Sequence, residues 1–301
     1  MDYKENLHNP RVFKKPDINL KVTQNTVLMK FLLENIKGKN RDNFKTLLID
    51  GQVLVDGEVV KWFNYPLIPG QEVKISWEKT LKTKYPGITI IYEDQHLIVI
   101  DKDAGILSIS TDKEKDHTAY SILSQHVKDQ DPANKIFVVH RLDRETSGIM
   151  IFAKSEDIQS QLQENWNETI LERTYVAVVE GSVPKNRGII ESYLRESKAL
   201  IVYSSQNPNQ GQKAVTHYSV VKRNNNYSLL EVNLETGRKN QIRVHMQLIG
   251  HSIISDKKYG SMINPIGRLG LHAKTLAFTH PITKEPMRFD SPIPKAFLKL
   301  F

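Results

Sequence analysis

The sequence contains no cysteine among its 301 residues. This absence excludes disulfide frameworks, thiolate zinc sites, iron–sulfur clusters and cysteine nucleophiles, and it is typical of proteins from a reducing compartment. No apolar run approaches the ~18 residues that a membrane-spanning helix needs, and the polar first five residues do not resemble a signal peptide. We therefore expect a soluble, cytoplasmic protein with no membrane partner.

Acidic residues are in the minority, with 34 Asp and Glu against 42 Lys and Arg, which gives a formal net charge of +8. The excess is unevenly distributed, because residues 1–85 hold 15 basic and 10 acidic residues, whereas residues 86–301 hold 27 and 24. A basic part joined to a nearly neutral one is typical of proteins that bind a polyanion, since displacing counterions from phosphates favours association. A charge excess that only improves solubility explains the composition equally well.

With 39% hydrophobic residues, the chain is long enough for two compact domains, each with its own core. Near the N-terminus, apolar residues recur at helical spacing between Leu28 and Ile36, Asp42 stands where it can cap a second helix, and Asp56-Gly57 is a hairpin signal. Two short helices followed by a hairpin predict a small α+β domain. The predicted boundaries are a leader over residues 1–19, the small domain over 20–78 and a linker over 79–86.

Residues 87–301 contain many short apolar runs bounded by turn residues, and few helical patterns. Strands in that proportion favour a mixed, largely antiparallel sheet over a doubly wound parallel one. Helices are predicted over residues 155–166 and 239–249, the second ended by Gly250. The fold class expected for the whole chain is therefore α+β, with a small α+β domain followed by a larger domain built on this sheet.

The densest polar segment is the string HRLDRETSG at residues 140–148, which stands between two apolar runs that read as strands. Arg141 and Arg144 flank Asp143, and nearby positive charge is expected to keep its carboxylate ionised. An ionised carboxylate can act as a nucleophile or as a base. From composition alone, a salt-bridged turn at a sheet edge is the simpler interpretation.

The string resembles the central motif of the RNA pseudouridine synthases, specifically of the RluA family, whose first residue is a histidine where the related RsuA branch usually has glycine. The resemblance implies that Asp143 is the catalytic aspartate. It also implies that Arg141 enters the RNA helix and helps to hold the target nucleotide out. His140, Leu142 and Thr146 are assigned by the same resemblance to the substrate-binding site.

Two further segments are similar to motifs of the same family. Residues 172–181, ERTYVAVVEG, resemble its tyrosine motif, which implies that Tyr175 lies against the target uracil. Residues 236–246, TGRKNQIRVHM, resemble its third motif, which implies that Arg243 pairs with the catalytic carboxylate. Without the resemblance, Tyr175 would be read as an aromatic of the sheet core and Arg243 as part of a surface salt bridge.

The resemblance extends to both ends of the chain. Residues 269–273, LGLHA, resemble a late motif whose leucine, here Leu271, packs in the active-site wall. The helix–helix–hairpin pattern with DGQVLVDG at residues 50–57 is similar to the S4-type RNA-binding domain that is often fused to these enzymes. An unrelated small α+β adaptor is the alternative for this N-terminal part.

Three positions depart from the family pattern. Asp103 stands where proline is usual, Asn240 where the third motif usually has histidine, and Ser252 where proline is common. None of them is a residue to which the resemblance gives a chemical role. They bear on the subfamily and the substrate rather than on the reaction.

The reaction implied by the resemblance is the isomerisation of uridine to pseudouridine, which has no redox step, so neither a cofactor nor a metal is expected. The carboxylate can attack the anomeric carbon or remove a proton from the neighbouring sugar carbon, and the sequence does not choose between these routes. The expected partner is RNA, with ribosomal RNA ahead of transfer RNA; no DNA and no obligatory protein partner is expected, and the protein is expected to be a monomer.

Two other functions are compatible with parts of the pattern. One is a catalytically silent RNA-binding protein, against which the intact set of Asp143, Tyr175 and Arg243 argues. The other is a glycoside or nucleoside hydrolase that uses Asp143 as nucleophile, and it needs a second carboxylate as general acid, for which Glu145 is the nearby candidate. Release of free uracil would identify the hydrolase, and binding without conversion the silent binder.

Overall fold

The computed structural model describes residues 17–49, 51–60, 62–76, 84–111, 114 and 116–301. Within this part of the chain the residues divide into two compact units. The first takes in the described residues between 17 and 76 together with Tyr92–Asp94, and the second takes in Lys84–Ile91 and Gln95–Phe301. No helix among the described residues is long and apolar enough to cross a membrane.

The first unit is a small α+β structure. Its elements are β1 (Ile18–Lys21), β2 (Thr26–Val27), α1 (Leu28–Asn35), α2 (Arg41–Ile49), β3 (Val53–Val55), β4 (Glu58–Val59), β5 (Pro66–Leu67) and β6 (Glu72–Ile75). An antiparallel sheet of order β1-β6-β3-β4 lies beside the β2-β5 pair. The buried faces of both helices and the sheet form one hydrophobic core, which includes Leu28, Phe44 and Val73.

The hairpin predicted in this unit is present, whereas the predicted cap of the second helix is wrong. Asp56 and Gly57 form the two-residue turn between β3 and β4, with φ angles of 51° and 88°, as a hairpin turn of mirror-image type requires. Asp42 does not cap α2: the Asn40 side chain accepts from the Asn43 amide at 2.9 Å, and the Asn43 side chain accepts from the Asn40 amide at 3.0 Å. Asp42 lies in the first turn instead.

Strands of the sheets extend past two of the predicted domain boundaries. β1 begins two residues inside the predicted leader, because Ile18 pairs with Ile75 in the sheet. In the predicted linker, residues 79–83 lie outside the described part of the chain, while Lys84–Tyr85 forms a strand that pairs with Thr89 and Ile88. The similarity of the first unit to an S4-type domain stays a prediction.

The second unit is built on a single large sheet. Its strands are β7 (Lys84–Tyr85), β8 (Ile88–Glu93), β9 (Leu97–Lys102), β10 (Phe137–Val138), β11 (Ser147–Ala153), β12 (Ile170–Glu180), β13 (Arg187–Glu196), β14 (Val202–Ser205), β15 (Gln212–Arg223), β16 (Tyr227–Leu234), β17 (Leu271–Thr279) and β18 (Pro286–Asp290). Its helices are α3 (Ala119–Gln130), α4 (Glu156–Glu164), α5 (Trp166–Thr169), α6 (Gln241–Leu248) and α7 (Lys295–Leu298), with short 3₁₀ turns at Pro208–Gln210 and Lys257–Tyr259.

The sheet has 12 strands, ten of them in the order β14-β13-β15-β16-β12-β17-β11-β9-β8-β7, with β10 beside β11 and β18 beside β17. Strands β11 and β17 run parallel, and every other pairing whose register is defined is antiparallel. The predicted mixed, largely antiparallel sheet is thus confirmed. Because β12, β17 and β11 are neighbours, residues at the start of β11 and β17 come close to the middle of β12.

The two helices predicted in this unit are both present, each three residues shorter than predicted. Helix α4 begins after Ser155, whose side chain accepts from the Ile158 amide at 3.3 Å as an N-cap. Helix α6 is followed by Gly250, whose φ of +80° provides the left-handed residue that commonly ends a helix. Residues 165 and 239–240 of the predicted ranges lie outside the helices because the chain turns there.

Candidate active site

The segment between β10 and β11 carries most of the residues that the sequence singles out, and a neighbouring loop holds it in place. The Ser108 hydroxyl donates to the Leu142 carbonyl at 2.7 Å and accepts from the Leu142 amide at 3.1 Å. The Gly105 amide donates to the Arg144 carbonyl at 2.8 Å. A turn closes the segment, because the Thr146 amide donates to the Asp143 carbonyl at 3.1 Å.

A fully buried lysine ties the two loops together. The Lys102 ammonium, at the end of β9, donates to the carbonyls of Asp103 at 3.0 Å, Ile106 at 2.8 Å and Arg144 at 3.2 Å. These three bonds satisfy all three donors of the ammonium. Burial, with the nearby charge of Arg268, lowers the pKa of Lys102 to about 8, against the opposing effect of nearby carboxylates.

The segment also needs one glycine at its end. Gly148 has a φ of +115°, and a Cβ at this position would lie 2.1 Å from the Ala273 carbonyl oxygen. Strands β11 and β17 therefore approach each other here more closely than any side chain allows. The close approach brings the Asp143 turn beside the start of β17.

Three charged residues form the polar centre of this region. Arg243, on α6, donates through Nη1 to Asp143 at 3.1 Å, and through Nε and Nη2 to the two carboxylate oxygens of Asp256 at 2.7 and 2.8 Å. The side chain of Asp256 is 1% exposed, that of Arg243 is 14% exposed and that of Asp143 is 31% exposed. Asp256 is therefore a buried anchor for the guanidinium, whereas Asp143 keeps a face open to a ligand.

The surroundings of Arg243 fix its charge and its position. Burial lowers the pKa of this guanidinium, but the hydrogen bonds and charges of Asp256 and Asp143 outweigh burial, and the net effect raises its pKa. The Cζ atom of Arg243 lies 4.9 Å from the ring centroid of Tyr259. Asn240 accepts from Nη1 at 3.3 Å and donates to the Tyr259 hydroxyl at 2.9 Å. Arg243 is thus a permanent cation held on several sides.

A cavity of about 370 Å³ opens beside this centre, which lies within the size range of small-ligand pockets. It brings together seven of the eight residues that the sequence assigned to the site: Arg141, Leu142, Asp143, Thr146, Tyr175, Arg243 and Leu271. The loop and first turn of α6, residues 237–242, form the opposite wall. Among the described residues that line the cavity, Asp143 is the one with an acidic side chain.

Tyr175 lies in the floor of this cavity. It stands on β12 opposite Val232 of β16 and Ala273 of β17, and it packs against two hydrophobic clusters of this unit. Burial raises the pKa of the phenol, the negative charge of Asp143 adds to this effect, and the positive charge of Arg173 opposes it. The phenol is therefore neutral at physiological pH, with a ring held rigidly by the sheet.

His140, the eighth residue, lies outside the catalytic cavity. It lines an adjacent cavity instead, with its ring centroid 5.2 Å from that of Trp166. Its Nε2 accepts from the Ile151 amide of β11 at 3.2 Å. Burial, with the charge of Arg173, lowers its pKa to about 3, so the ring is neutral at physiological pH. The contacts of His140 fix the start of the segment to β11.

The charges that flank Asp143 in sequence do not hold it in space. Arg144 forms its ion pair with Glu114, and Arg141 has no acidic partner among the described residues. Glu145 is exposed and does not line the cavity. Arg141 and Arg144 therefore form no ion pair with Asp143 among the described residues, and the cation that contacts Asp143 is Arg243, 100 residues away in sequence.

Comparison with known proteins agrees with this geometry. The family of RNA pseudouridylate synthases matches residues 96–248. An uncharacterised RNA pseudouridine synthase of Bacillus subtilis, YjbO, is 34% identical over 273 residues, which are 91% of this chain and 94% of that protein. The chain belongs to the RluA family of RNA pseudouridine synthases. It is therefore an isomerase that acts on RNA.

Other members and one solved structure extend the comparison. The ribosomal large subunit pseudouridine synthase D of Vibrio parahaemolyticus is 30% identical over 275 residues, which are 85% of this chain and 83% of that protein. The human RNA pseudouridylate synthase domain-containing protein 4 has the same fold, with a TM-score of 0.58 and 23% identity over 69% of this chain and 90% of that one. The sheet of the second unit is thus the fold of a pseudouridine synthase.

Within this RluA-family enzyme, one departure from the family pattern has a local explanation. Asn240 precedes α6 with a φ of 53°, a left-handed conformation that asparagine tolerates well. Its side chain also bridges Arg243 and Tyr259, as described above. The structure gives no comparable account of Asp103.

Two residues of the site were not found from the sequence. Asp256 lies 13 positions after Arg243 in a turn, and nothing in the local pattern indicates that it is buried. Lys102 ends an apolar strand, where a lysine is ordinarily read as the first exposed residue after the strand. Asp256 and Arg243 lie on different segments, and Lys102 reaches the Arg144 carbonyl 42 residues away as well as two nearby carbonyls, so tertiary structure decides both contacts.

Proposed function

We propose that this enzyme isomerises specific uridines to pseudouridine in structured ribosomal RNA, and that Asp143 opens the glycosidic bond of a flipped-out nucleotide. The observation that carries the proposal is the partly exposed Asp143 carboxylate, which lines the cavity and is held by a guanidinium that a second, buried carboxylate fixes. The choice of ribosomal RNA follows relatives whose names describe synthases of the ribosomal large subunit.

The reaction requires the target base to leave its stack, at a cost of a few kcal/mol. The Asp143 carboxylate then attacks the anomeric carbon, or removes a proton from the neighbouring sugar carbon, while the bond from that carbon to N1 breaks and its electron pair stays on uracil. The detached uracil rotates and its C5 forms the new bond to the anomeric carbon. In the first route this bond displaces the Asp143 carboxylate from that carbon, and in the second route Asp143 returns the proton to the neighbouring sugar carbon. The C5 proton leaves and N1 is protonated, so the reaction is redox-neutral and we propose no cofactor and no metal.

The other residues of the cavity hold the base through these steps. The ring of Tyr175 provides a flat stacking surface, and the buried side chains of Leu142 and Leu271 provide apolar walls. Such walls retain a neutral, planar base after its bond to the ribose is broken. Arg141, exposed and without an acidic partner among the described residues, is free to enter the RNA as the base leaves.

Two alternative functions lose support in this geometry. A glycosidase-type hydrolase needs a second carboxylate on the reacting bond, and Glu145 does not line the cavity while both oxygens of Asp256 are bound to Arg243. A silent RNA-binding protein has no need of an aspartate with one face open to a cavity. We therefore propose an active synthase.

The proposal is tested by incubating the purified protein, without added metal or cofactor, with ribosomal RNA from cells that lack its gene. The RNA carries tritium at C5 of uridine, and release of tritium reports isomerisation. Pseudouridine mapping of the same RNA then identifies the modified positions, which should match those lost in the cells. Absence of tritium release, or release of free uracil, would contradict the proposal.

A further inference from the structure

A second cavity of about 500 Å³ adjoins the catalytic cavity, and the mechanism above makes no use of it. The two cavities share five lining residues, so they are adjacent: Arg141, Tyr175, Leu234, Gly237 and Arg238. The remaining wall of the second cavity includes Trp166 and Arg173. Whatever occupies it lies directly beside the ligand of the first.

Arg173 is the unusual residue of this second cavity. It stands on β12, two positions before Tyr175, and is half-buried. Its guanidinium lies 5.6 Å from the ring centroid of Trp166, and a Cβ added at Gly237 would lie 2.8 Å from its Nη1 atom. The guanidinium is thus held between an aromatic ring and a backbone that has no side chain.

The polar contacts of Arg173 leave most of its donors unused. Its one hydrogen bond within the described part of the chain is from Nη2 to the Leu234 carbonyl, at 3.4 Å. A guanidinium has five N–H donors, and taking such a cation out of water without a counter-charge is costly. Burial accordingly lowers the pKa of Arg173. A site of this kind is completed by an anion.

Most of the charged side chains around the cavity are cationic. Arg141 and Arg238 line it with Arg173, and none of the three is paired with a carboxylate among the described residues. The acidic residue in its wall, Glu235, is bound to His217. Three guanidinium groups, whose planar forks match the geometry of a phosphate, therefore face the cavity.

We propose that the second cavity is a phosphate subsite, in which Arg173 binds a backbone phosphate of the substrate RNA next to the flipped uridine. The inference rests on the proposed function, because a phosphate is always present beside a uridine that occupies the catalytic cavity. Arg173 thereby positions the strand whose base lies on Tyr175. The subsite reads no base, since phosphate contacts carry position rather than sequence.

The test compares four variants of the full chain in RNA binding and in steady-state turnover. Arg173→Met removes the cation, and Arg173→Lys keeps the charge but not the planar fork. Gly237→Ala keeps the arginine but places a methyl group 2.8 Å from its Nη1, closer than normal contact, at a position without a left-handed φ. Arg187→Met is the matched control, because Arg187 is exposed at the start of β13 and lines neither cavity.

We expect Arg173→Met to raise KM about 10-fold or more, as for loss of a charge-assisted hydrogen bond, and to change kcat by less than about 3-fold. The slope of log affinity against log salt should fall by about 1. Arg173→Lys should restore the slope but not the full affinity, and Gly237→Ala should weaken binding while retaining the melting temperature. Arg187→Met should change KM by less than about 2-fold.

The proposal is overturned if Arg173→Met and Gly237→Ala both bind RNA with the affinity and salt slope of the control. If Arg173→Met does not fold, Gly237→Ala and Arg173→Lys decide the question. Binding and salt slope are measured without turnover, so they separate this proposal from the preceding one. A parent protein that binds RNA through Arg173 but makes no pseudouridine would refute the proposed function alone.

Discussion

At the scale of single residues, the site depends on how one guanidinium is shared between two carboxylates. Asp256 binds Arg243 through both oxygens in a buried position, and Asp143 accepts from Nη1 while keeping a face open to the cavity. Breaking a buried pair by removing one partner costs about 3–5 kcal/mol, because the other charge is left uncompensated. The buried pair therefore matters for folding and for the position of the catalytic group.

Asp256→Asn tests this division of roles. We expect the substitution to lower the free energy of unfolding by about 3 kcal/mol, since an amide next to Arg243 cannot offer two accepting oxygens. We expect kcat to fall by about 100-fold, because a displaced Arg243 misplaces the Asp143 carboxylate. The matched control is Asp290→Asn, at an exposed ion pair with Arg288, which should change stability by less than about 1 kcal/mol.

Urea unfolding and single-turnover kinetics provide the two measurements. A folded Asp256→Asn protein with the parental kcat would contradict the positioning role. Asp256→Glu keeps the charge and is a second variant at this position. Relative to Asp256→Asn it should recover more stability than activity, because its longer side chain moves the guanidinium.

Tyr175→Phe separates stacking from proton transfer. The ring packs against two hydrophobic clusters, so the phenylalanine should keep the fold, and RNA affinity should stay within about 2-fold of the parent value. If the hydroxyl helps to remove the C5 proton, kcat should fall by 10²-fold or more, as expected for general-base catalysis. Rapid-quench assays of tritium release measure kcat, and gel-shift titration measures affinity.

Two other results would change the assignment of Tyr175. Full turnover in the phenylalanine variant would reduce this residue to a stacking surface. A large fall in melting temperature would indicate that the hydroxyl stabilises the fold. Because the raised pKa keeps the phenol neutral in the free enzyme, a pH–rate profile governed by a phenolate near neutral pH would contradict the account.

At the scale of elements, two buried histidines, His245 and His272, and the half-buried His140 link the strands and α6 of the second unit. His245 on α6 contacts Ser192 at 3.0 Å and Thr216 at 2.8 Å, and His272 on β17 contacts Ser147 at 2.7 Å. Burial lowers the pKa to about 4 for His245 and His272 and, with the charge of Arg173, to about 3 for His140. All three are neutral in the fold at physiological pH.

Stability should therefore fall in mild acid. The unfolded histidines have pKa values near 6.5, so between about pH 6.5 and about pH 4 the unfolded chain binds protons that the folded chain does not. The contribution is fully present above pH 6.5 and is lost as the pH falls, by up to about 1.4 kcal/mol per pH unit for each histidine. Urea unfolding across this pH range measures the slope.

A pair of variants isolates the buried histidines from other groups that titrate in acid. His245→Gln should show a shallower decrease, by about one proton, because glutamine can bond the same two hydroxyl groups without titrating. His117→Asn, at an exposed histidine with a φ of 57°, should keep the parental slope. Identical slopes in all three proteins would contradict the assignment.

Elements were predictable from the sequence wherever the deciding interactions are local. Ser155 caps the start of α4, Gly250 follows the end of α6 as predicted, and the β3–β4 hairpin follows from Asp56-Gly57. The start of α2 was misplaced because two neighbouring residues, Asn40 and Asp42, both suit a cap, and the reciprocal bonds between Asn40 and Asn43 decide it.

The residues of the site were predicted from family motifs more than from physical patterns in the sequence. The motifs bring seven of eight predicted residues to one cavity, and the predicted contact between Arg243 and Asp143 is present. Two other ion pairs were not predicted. Arg144 pairs with Glu114, and Arg243 is anchored by Asp256, because long-range packing rather than sequence proximity sets ion pairs. Buried groups such as Lys102 and Arg173 cannot be distinguished from exposed ones by residue type alone.

At the scale of the whole molecule, the uneven charge predicts different roles for the two units. Residues 1–85 carry +5 of the formal net charge of +8, while the residues assigned to the reaction lie between 140 and 271. We propose that the first unit is an RNA-binding domain of S4 type and supplies sequence-tolerant attraction to phosphates. The monomeric state expected from the sequence stays a prediction.

A shortened chain that begins at residue 84 tests this division. It retains β7 and the complete sheet that carries the site, so we expect it to fold and to keep activity at low salt. RNA affinity should be about 10-fold weaker at physiological salt, with a shallower salt dependence. Fluorescence titration across salt concentrations measures both. Unchanged affinity and slope would mean that the first unit does not bind RNA.

The central claim is that the Asp143 carboxylate performs the isomerisation, and Asp143→Asn tests it most directly. The variant keeps the shape of the side chain and removes its charge, and Glu145→Gln, in the same loop but outside the cavity, is the control. With C5-tritiated RNA at saturation, we predict that Asp143→Asn binds RNA like the parent but releases tritium about 10⁴-fold more slowly, whereas Glu145→Gln turns over within about 2-fold of the parent. Turnover by folded Asp143→Asn within about 10-fold of the parent rate would contradict the account.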